Sequence, residues 1–142
     1  MRRHFAFHPS NALTLLLVCA HAIVAGAFFS VPISRTALSL TLAALFCSMA
    51  YYVLRDARLK LDAAWVALRL EGDRVVLVNR KGEESAGKLL RGSVVMPHLV
   101  ILNMGINGQR RRCNVVLMSD SMDAESFRQL RVALKWGAIP TA

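Results

Sequence analysis

The chain has 142 residues, 55% of them hydrophobic, and a formal net charge of +9. This length allows one membrane hairpin and one small domain. The three cysteines form no C-x-x-C pair and no group with histidine at zinc-ligand spacing. The sequence therefore predicts no disulfide framework, no metal site and no cofactor.

The first eleven residues are basic and aromatic, with Arg2 and Arg3 followed by Phe5 and Phe7. Such a segment is typical of a membrane interface, where aromatic rings are immersed and cations lie among the headgroups. We predict a basic interfacial N-terminus over residues 1–11.

Two apolar runs follow, at residues 12–31 and 36–54, and a short loop with Pro32 and Arg35 separates them. A run of about 20 residues is long enough to cross a hydrocarbon core of about 30 Å. The first run exceeds the usual h-region of a cleavable signal peptide, which is the main alternative. The pattern predicts a transmembrane hairpin over residues 12–54. Cations flank its two ends, which predicts a multi-pass membrane protein with both termini in the cytoplasm.

Small residues recur on one face of each run, which predicts where the two helices pack closely. These residues are Cys19, Ala22 and Gly26 in the first run, and Ser39, Ala43 and Cys47 in the second. His21 lies off this face and has two interpretations. It either faces a second copy or another membrane protein, or it is a neutral histidine bonded to a carbonyl or a hydroxyl.

After a basic juxtamembrane linker at residues 55–61, the period changes to the two-residue alternation of strands. Short β-branched runs separated by turn residues predict five or six antiparallel strands. They lie near residues 65–70, 74–79, 85–90, 93–96, 98–104 and 111–118.

A final helix is predicted at about residues 121–136, with Asp120 as its N-cap and Asp123 at N3. Phe127, Leu130 and Leu134 form its apolar stripe. The predicted fold class is membrane α+β. It combines a two-helix transmembrane hairpin with a small antiparallel β-sheet or open-barrel domain, at residues 62–142, that ends in a helix.

From Arg55 onward the chain holds fifteen of the eighteen Lys and Arg against all nine Asp and Glu, which gives this part a charge of +6. Basic candidates for binding a lipid headgroup or an acidic partner are Arg110, Arg111, Arg112, Arg128 and Arg131. A simply solvated strand end is the alternative for the first three. Their side chains alternate faces on a strand, so nucleic acid is not a predicted partner. Catalytic motifs are missing from the sequence, and we predict no enzymatic activity.

The layout, together with Ser119-Asp120-Ser121-Met122-Asp123 leading into the last helix, resembles the YgfX/CptA family of small bacterial inner-membrane proteins. That family is described as the toxin of a toxin–antitoxin pair. The resemblance covers nearly the whole chain, and Asp120, Ser121, Met122 and Asp123 are its signature.

The resemblance implies a protein that acts by binding and brings no catalytic residues. It implies inhibition of cell division and shape through interference with FtsZ and MreB, which are cytoskeletal proteins. It also implies neutralisation by a small soluble antitoxin of the succinate dehydrogenase flavinylation factors. Two alternatives are a non-toxic assembly or stability factor for an inner-membrane complex, and a lipid-binding module. A homo-oligomer is also compatible with the sequence.

Overall fold

The computed structural model describes residues 2–72, 74–106 and 112–138. Its elements, in chain order, are β1 (Arg2–Ala6), α1 (Asn11–Phe29), α2 (Arg35–Tyr52) with a π-helical extension (Val53–Ala57), β2 (Trp65–Glu71), β3 (Arg74–Asn79), β4 (Glu84–Leu89), β5 (Val94–Val95), β6 (Leu99–Ile106), β7 (Arg112–Met118) and α3 (Ala124–Ala133) with a π-helical extension (Leu134–Ala138). The two long apolar helices, an antiparallel sheet and the C-terminal helix are present as the sequence predicts. The sheet has seven strands in the described residues, where five or six were predicted, and β1 was not among the predicted strands.

The two long helices are apolar on every face. The first has a mean hydropathy of 2.3 with 6% of its apolar window buried in the protein, and the segment Arg35–Ala57 has 1.8 with none buried. By length and composition both can cross a membrane. Each begins with a serine cap: Ser10 accepts a hydrogen bond from the Leu13 N–H, and Ser34 accepts one from the Ala37 N–H.

The N-terminal residues form a strand, so the prediction of an interfacial segment at residues 1–11 is wrong. β1 pairs antiparallel with β2 and places Phe5 opposite Leu68. Phe5 and Phe7 are 3% and 8% exposed in the hydrophobic core. Two aromatic residues at a spacing of two fit one face of a strand as well as they fit a membrane interface. The partner strand β2 lies about 60 residues later in the chain. Because both rings are buried when β1 pairs with it, the segment forms a strand of the sheet and not a membrane-interface segment.

The sheet follows the order β1-β2-β3-β4-β6-β5, and β7 pairs with the other side of β6. Every pairing is antiparallel. No ladder joins β1 to β7 among the described residues, so the sheet is open. α3 covers it with the predicted stripe, because Phe127 is 4% exposed and Leu130 and Leu134 are fully buried.

The stretch predicted as a linker, residues 55–61, is part of the folded unit. Ala57 is fully buried and Leu59 is 9% exposed within the core. The Arg80 guanidinium donates a hydrogen bond of 2.7 Å to the Leu59 carbonyl oxygen, and Leu59 itself has a positive φ of 54°. A leucine keeps this unfavourable backbone conformation only where its surroundings hold it. The part of the domain that follows the hairpin thus begins where α2 ends.

Candidate functional site

Both helices of the hairpin join the domain at one place, which we call the hairpin base: residues 8–13, Ala57 and residues 120–122. The Ser10 N–H donates to the Ala57 carbonyl oxygen at 2.8 Å, and this bond ties the start of α1 to the end of α2. The Ser10 hydroxyl donates to the Asp120 carboxylate at 2.5 Å. The Ala12 N–H donates to the other carboxylate oxygen of Asp120 at 3.0 Å.

This geometry corrects the predicted role of Asp120. It caps α1, from 108 residues away, and not α3. The N-cap of α3 is Asp123, whose carboxylate accepts from the Ser126 N–H at 2.9 Å, so the helix starts at Ala124 and not near residue 121. An aspartate suits either cap equally well, and only the tertiary contact with Ser10 assigns it.

The other signature residues also have separate structural roles. The Ser121 carbonyl oxygen accepts from the His8 N–H at 2.6 Å, and the Ser121 hydroxyl donates to the Met118 carbonyl oxygen at 2.6 Å. Met122 is 4% exposed and belongs to the core. The signature therefore holds the hairpin to the domain and starts α3.

The hydrogen bonds at the hairpin base set its electrostatics. Burial opposes ionisation of Asp120, but the donors from Ala12 and Ser10 outweigh it and lower the pKa of the carboxyl group. The N–H of Ser126 similarly lowers the pKa of Asp123. Both carboxylates are ionised at neutral pH, where each complements the positive end of a helix.

The two helices of the hairpin meet on a face different from the predicted one. His21 lies between them: its Nδ1 is 2.8 Å from the Leu17 carbonyl oxygen and its Nε2 is 3.5 Å from the Ser48 hydroxyl. This matches the interpretation of a histidine bonded to a carbonyl and a hydroxyl. An apolar gap of about 220 Å³ between the helices is lined by side chains that include His21, Ala25 and Leu45.

The predicted small-residue face is wrong as the contact within the hairpin, although Ala22 lines the gap. Cys19 and Cys47 are exposed, and a Cβ added at Gly26 would meet nothing within 4 Å. Ser39 and Ala43 are exposed as well. The physical reason is that the hairpin base fixes how α1 is rotated about its axis, because Leu13 is buried in the domain and Ser10 is bonded to Asp120.

A second candidate site is a cleft of about 360 Å³ between α3 and the chain around β5, which we call the basic cleft. It is lined by Val95, Pro97, Arg128, Arg131, Val132, Lys135 and Trp136. Its three cations recur at i, i+3 and i+7 on α3 and its extension, and so share a face of the helix. This spacing is a sequence signal that could have added Lys135 and Trp136 to the predicted site.

The cations of the basic cleft differ in their partners. Arg128 donates to Glu125 at 2.8 Å, and this pairing lowers the pKa of Glu125 to about 2. The Arg131 guanidinium carbon lies 6.0 Å from the centre of the Phe127 ring. The Arg131 Nε is buried and has no hydrogen-bond acceptor within the described part of the chain.

The remaining predicted basic residues are Arg110, Arg111 and Arg112. Arg112 is exposed and is the first residue of that strand, whereas Arg110 and Arg111 lie outside the described residues. No cluster of His, Cys, Asp and Glu suited to a metal ion occurs in the three described segments.

Comparison with known families matches residues 1–138 to the CptA toxin family, described as the membrane-bound toxin component of a toxin–antitoxin system. The chain belongs to this family. A CptA-family protein is membrane-bound and has an antitoxin as its partner, which confirms the resemblance found in the sequence. The two apolar helices of this member are the parts suited to holding it in the membrane. No curated protein and no solved structure matches the chain.

Proposed function

We propose that this protein inhibits cell division and shape by binding FtsZ- and MreB-like cytoskeletal proteins at the inner membrane, without catalysis. The observation that carries the proposal is the hairpin base. Ser10, Ala57 and Asp120 join the domain directly to both helices, which supports a domain held at the bilayer surface in one orientation by the inserted hairpin. Confinement to the layer where division filaments assemble raises the local concentration of the binding surface.

We also propose that the hairpin spans the membrane with both termini in the cytoplasm. β1 and β2, the strands before and after the hairpin, pair in the same sheet, which supports a topology with both ends of the hairpin on one side of the bilayer. Arg2, Arg3, Arg58 and Lys60 lie near those ends, whereas the cation at the other end of the hairpin is Arg35, the first residue of α2.

The proposed contact for an acidic partner is the basic run at residues 110–112. The antitoxin is proposed to be a small soluble protein like the succinate dehydrogenase flavinylation factors. Its surface or that of the filament proteins would complement the +6 charge of the chain from Arg55 onward. Long-range attraction of this kind raises the association rate and weakens with salt.

The test compares cell morphology on induction of the full chain and of a hairpin-less chain, in which a short Gly/Ser linker replaces residues 14–54. The hairpin-less chain keeps β1, Ser10 and Asp120 and so keeps the domain complete. We expect filamentous or rounded cells with the full chain, and a much weaker effect with the hairpin-less chain at equal abundance. Normal morphology with the full chain at high expression would contradict the proposal.

A pull-down identifies the partner. We expect FtsZ, MreB and the antitoxin with the full chain at low salt, and less of each at high salt. Serine at Arg110, Arg111 and Arg112 should weaken capture, whereas serine at the exposed Arg74, the first residue of β3, should not. Recovery of a respiratory or other membrane complex in their place would support the assembly-factor alternative.

A further inference from the structure

The basic cleft combines cations with exposed apolar side chains. Trp136 is 80% exposed, Val132 is 45% exposed, and Met96, next to the cleft residue Pro97, is 51% exposed. Tryptophan and basic side chains together are typical of the boundary between water and lipid. A surface of this composition is therefore suited to the headgroup region of a bilayer.

The cleft lies close to the hairpin base. The Ser119 N–H donates to the His98 carbonyl oxygen at 3.0 Å, and the adjacent Asp120 accepts from the Ala12 N–H at 3.0 Å. Pro97 precedes His98, and Ser119 precedes Asp120, so these two hydrogen bonds connect Pro97 to the first turn of α1. Neighbouring Cα atoms are about 3.8 Å apart, so each covalent step along this path is short. The rim of the cleft is thus near the point at which the hairpin leaves the domain.

The cleft also carries uncompensated positive charge. Glu125 neutralises Arg128, but Arg131 and Lys135 have no carboxylate partner among residues 2–72, 74–106 and 112–138. The buried Nε of Arg131 is a donor without an acceptor in those segments. Two cations without a carboxylate partner in those segments are complementary to a phosphate group.

We propose that the basic cleft binds the phosphate of an anionic phospholipid in the membrane that the hairpin crosses. Arg131 and Lys135 pair with the phosphate, and the Trp136 ring lies among the headgroups. The proposal rests on membrane insertion of the hairpin and is independent of which protein the toxin inhibits. A lipid is favoured over an acidic protein because the exposed side chains of Trp136 and Met96 beside the cations fit a lipid surface.

The test uses the fluorescence of Trp136 in the full chain with Trp65→Phe, reconstituted in phosphatidylcholine nanodiscs. One set of discs contains a fraction of phosphatidylglycerol with brominated acyl chains, and the other contains the same fraction of brominated phosphatidylcholine. Bromine quenches only nearby tryptophan. We expect about twofold or greater quenching by the anionic lipid relative to the neutral one, because each cation near the surface adds attraction for anionic lipid.

Variants assign the preference to the cleft. Arg131→Gln with Lys135→Gln should bring the quenching ratio to about one, since both free cations are lost. Arg131→Lys with Lys135→Arg should keep the preference. The matched control is Arg74→Gln with Arg91→Gln, which removes two exposed cations outside the cleft and should leave the ratio unchanged.

Equal quenching by the two lipids in the parent chain, or no quenching by either, would overturn the proposal. The proposal would also be overturned if a soluble polyglutamate peptide shifted the Trp136 emission and the anionic lipid did not. That result would assign the cleft to an acidic protein. If the Trp65→Phe variant fails to fold, the comparison is made in the natural chain with both tryptophans. The quenching that is lost on Trp136→Phe then gives the contribution of Trp136.

Discussion

Asp120 connects parts of the molecule that are more than 100 residues apart in the chain. Its carboxylate accepts the Ser10 hydroxyl and the Ala12 N–H and so stabilises the start of α1. The side chain thereby couples the sheet to the hairpin, which is the reason that a short motif far from the hairpin bears on its placement.

We expect Asp120→Ala to lower the free energy of unfolding by about 1 kcal/mol, the usual cost of losing an N-cap interaction. Thermal unfolding of the detergent-solubilised chain, followed by circular dichroism, measures the loss. Asp62→Ala is the control, because Asp62 is exposed and makes only a surface ion pair of 3.4 Å with Lys81. An equal loss in both variants would contradict the role assigned to Asp120.

The same residue predicts a pH dependence. The folded-state pKa of Asp120 is lowered, so its ionised form stabilises the protein above the unfolded value of about 3.9. That contribution is lost as the pH falls through the folded-state pKa. The stability difference between the natural chain and Asp120→Asn should therefore shrink below about pH 4. A difference that grows with acidification would contradict the assignment.

Gly87 lies where β4 pairs with β6 and comes close to the backbone of that strand. A Cβ at this position would collide with the backbone carbonyl oxygen of Gly105. We expect Gly87→Ala to destabilise the domain by about 1–3 kcal/mol, because a backbone atom cannot move aside as a flexible side chain does. Gly26→Ala is the control, since its added methyl group meets nothing within 4 Å. Equal stability of the two variants in thermal unfolding would contradict this role of Gly87, because it would show that β4 and β6 accept a side chain there without loss of stability.

At the scale of elements, the hairpin is positioned by its polar contacts and its attachment to the domain. His21 reaches Ser48 at 3.5 Å, and the exposed small residues Cys19 and Gly26 face away from α2. Small residues permit close packing of helices, but they do not enforce it. The exposed small-residue face remains available to lipid or to another membrane helix.

A crosslinking experiment separates the two faces. In a chain without native cysteines, His21→Cys with Ser48→Cys should be bridged in membranes by a short bifunctional thiol reagent. In the natural chain, Cys19 and Cys47 should not be bridged to each other within one molecule, because both are exposed on the hairpin. The opposite pattern would restore the small-residue contact.

At the scale of the whole molecule, β1 makes the domain discontinuous in sequence. The sheet needs residues on both sides of the hairpin, because β1 covers the edge of β2 and supplies Phe5 to the core. The hairpin is therefore an insertion between the first and second strands of one sheet.

This architecture predicts that a fragment of residues 62–142 does not fold. Loss of Phe5 and Phe7 removes about 3–6 kcal/mol of burial, which is comparable with the whole stability of a small domain. The hairpin-less chain, with β1 retained, should be soluble and show a cooperative thermal transition. Analytical ultracentrifugation and circular dichroism compare the two. A monomeric, cooperatively folded 62–142 fragment would contradict the structural role of β1.

The sequence by itself determined the elements that depend on local or strongly periodic patterns. Length and hydropathy gave the two apolar helices. Alternation and turn residues gave β2 to β7, and the spacing of Phe127, Leu130 and Leu134 gave the buried face of α3. The same patterns, with the residues at 120–123, were enough to indicate the family.

The tertiary structure decided whatever depends on a partner that is distant in the chain. It alone paired β1 with β2, assigned Asp120 to α1, and set the rotation of α1 that brings His21 to Ser48. In each case the local sequence was compatible with two environments, and the tertiary contacts selected one of them. The observed environment is stabilised by hydrogen bonds and buried apolar area, and the residues that supply them are brought together only in the folded chain.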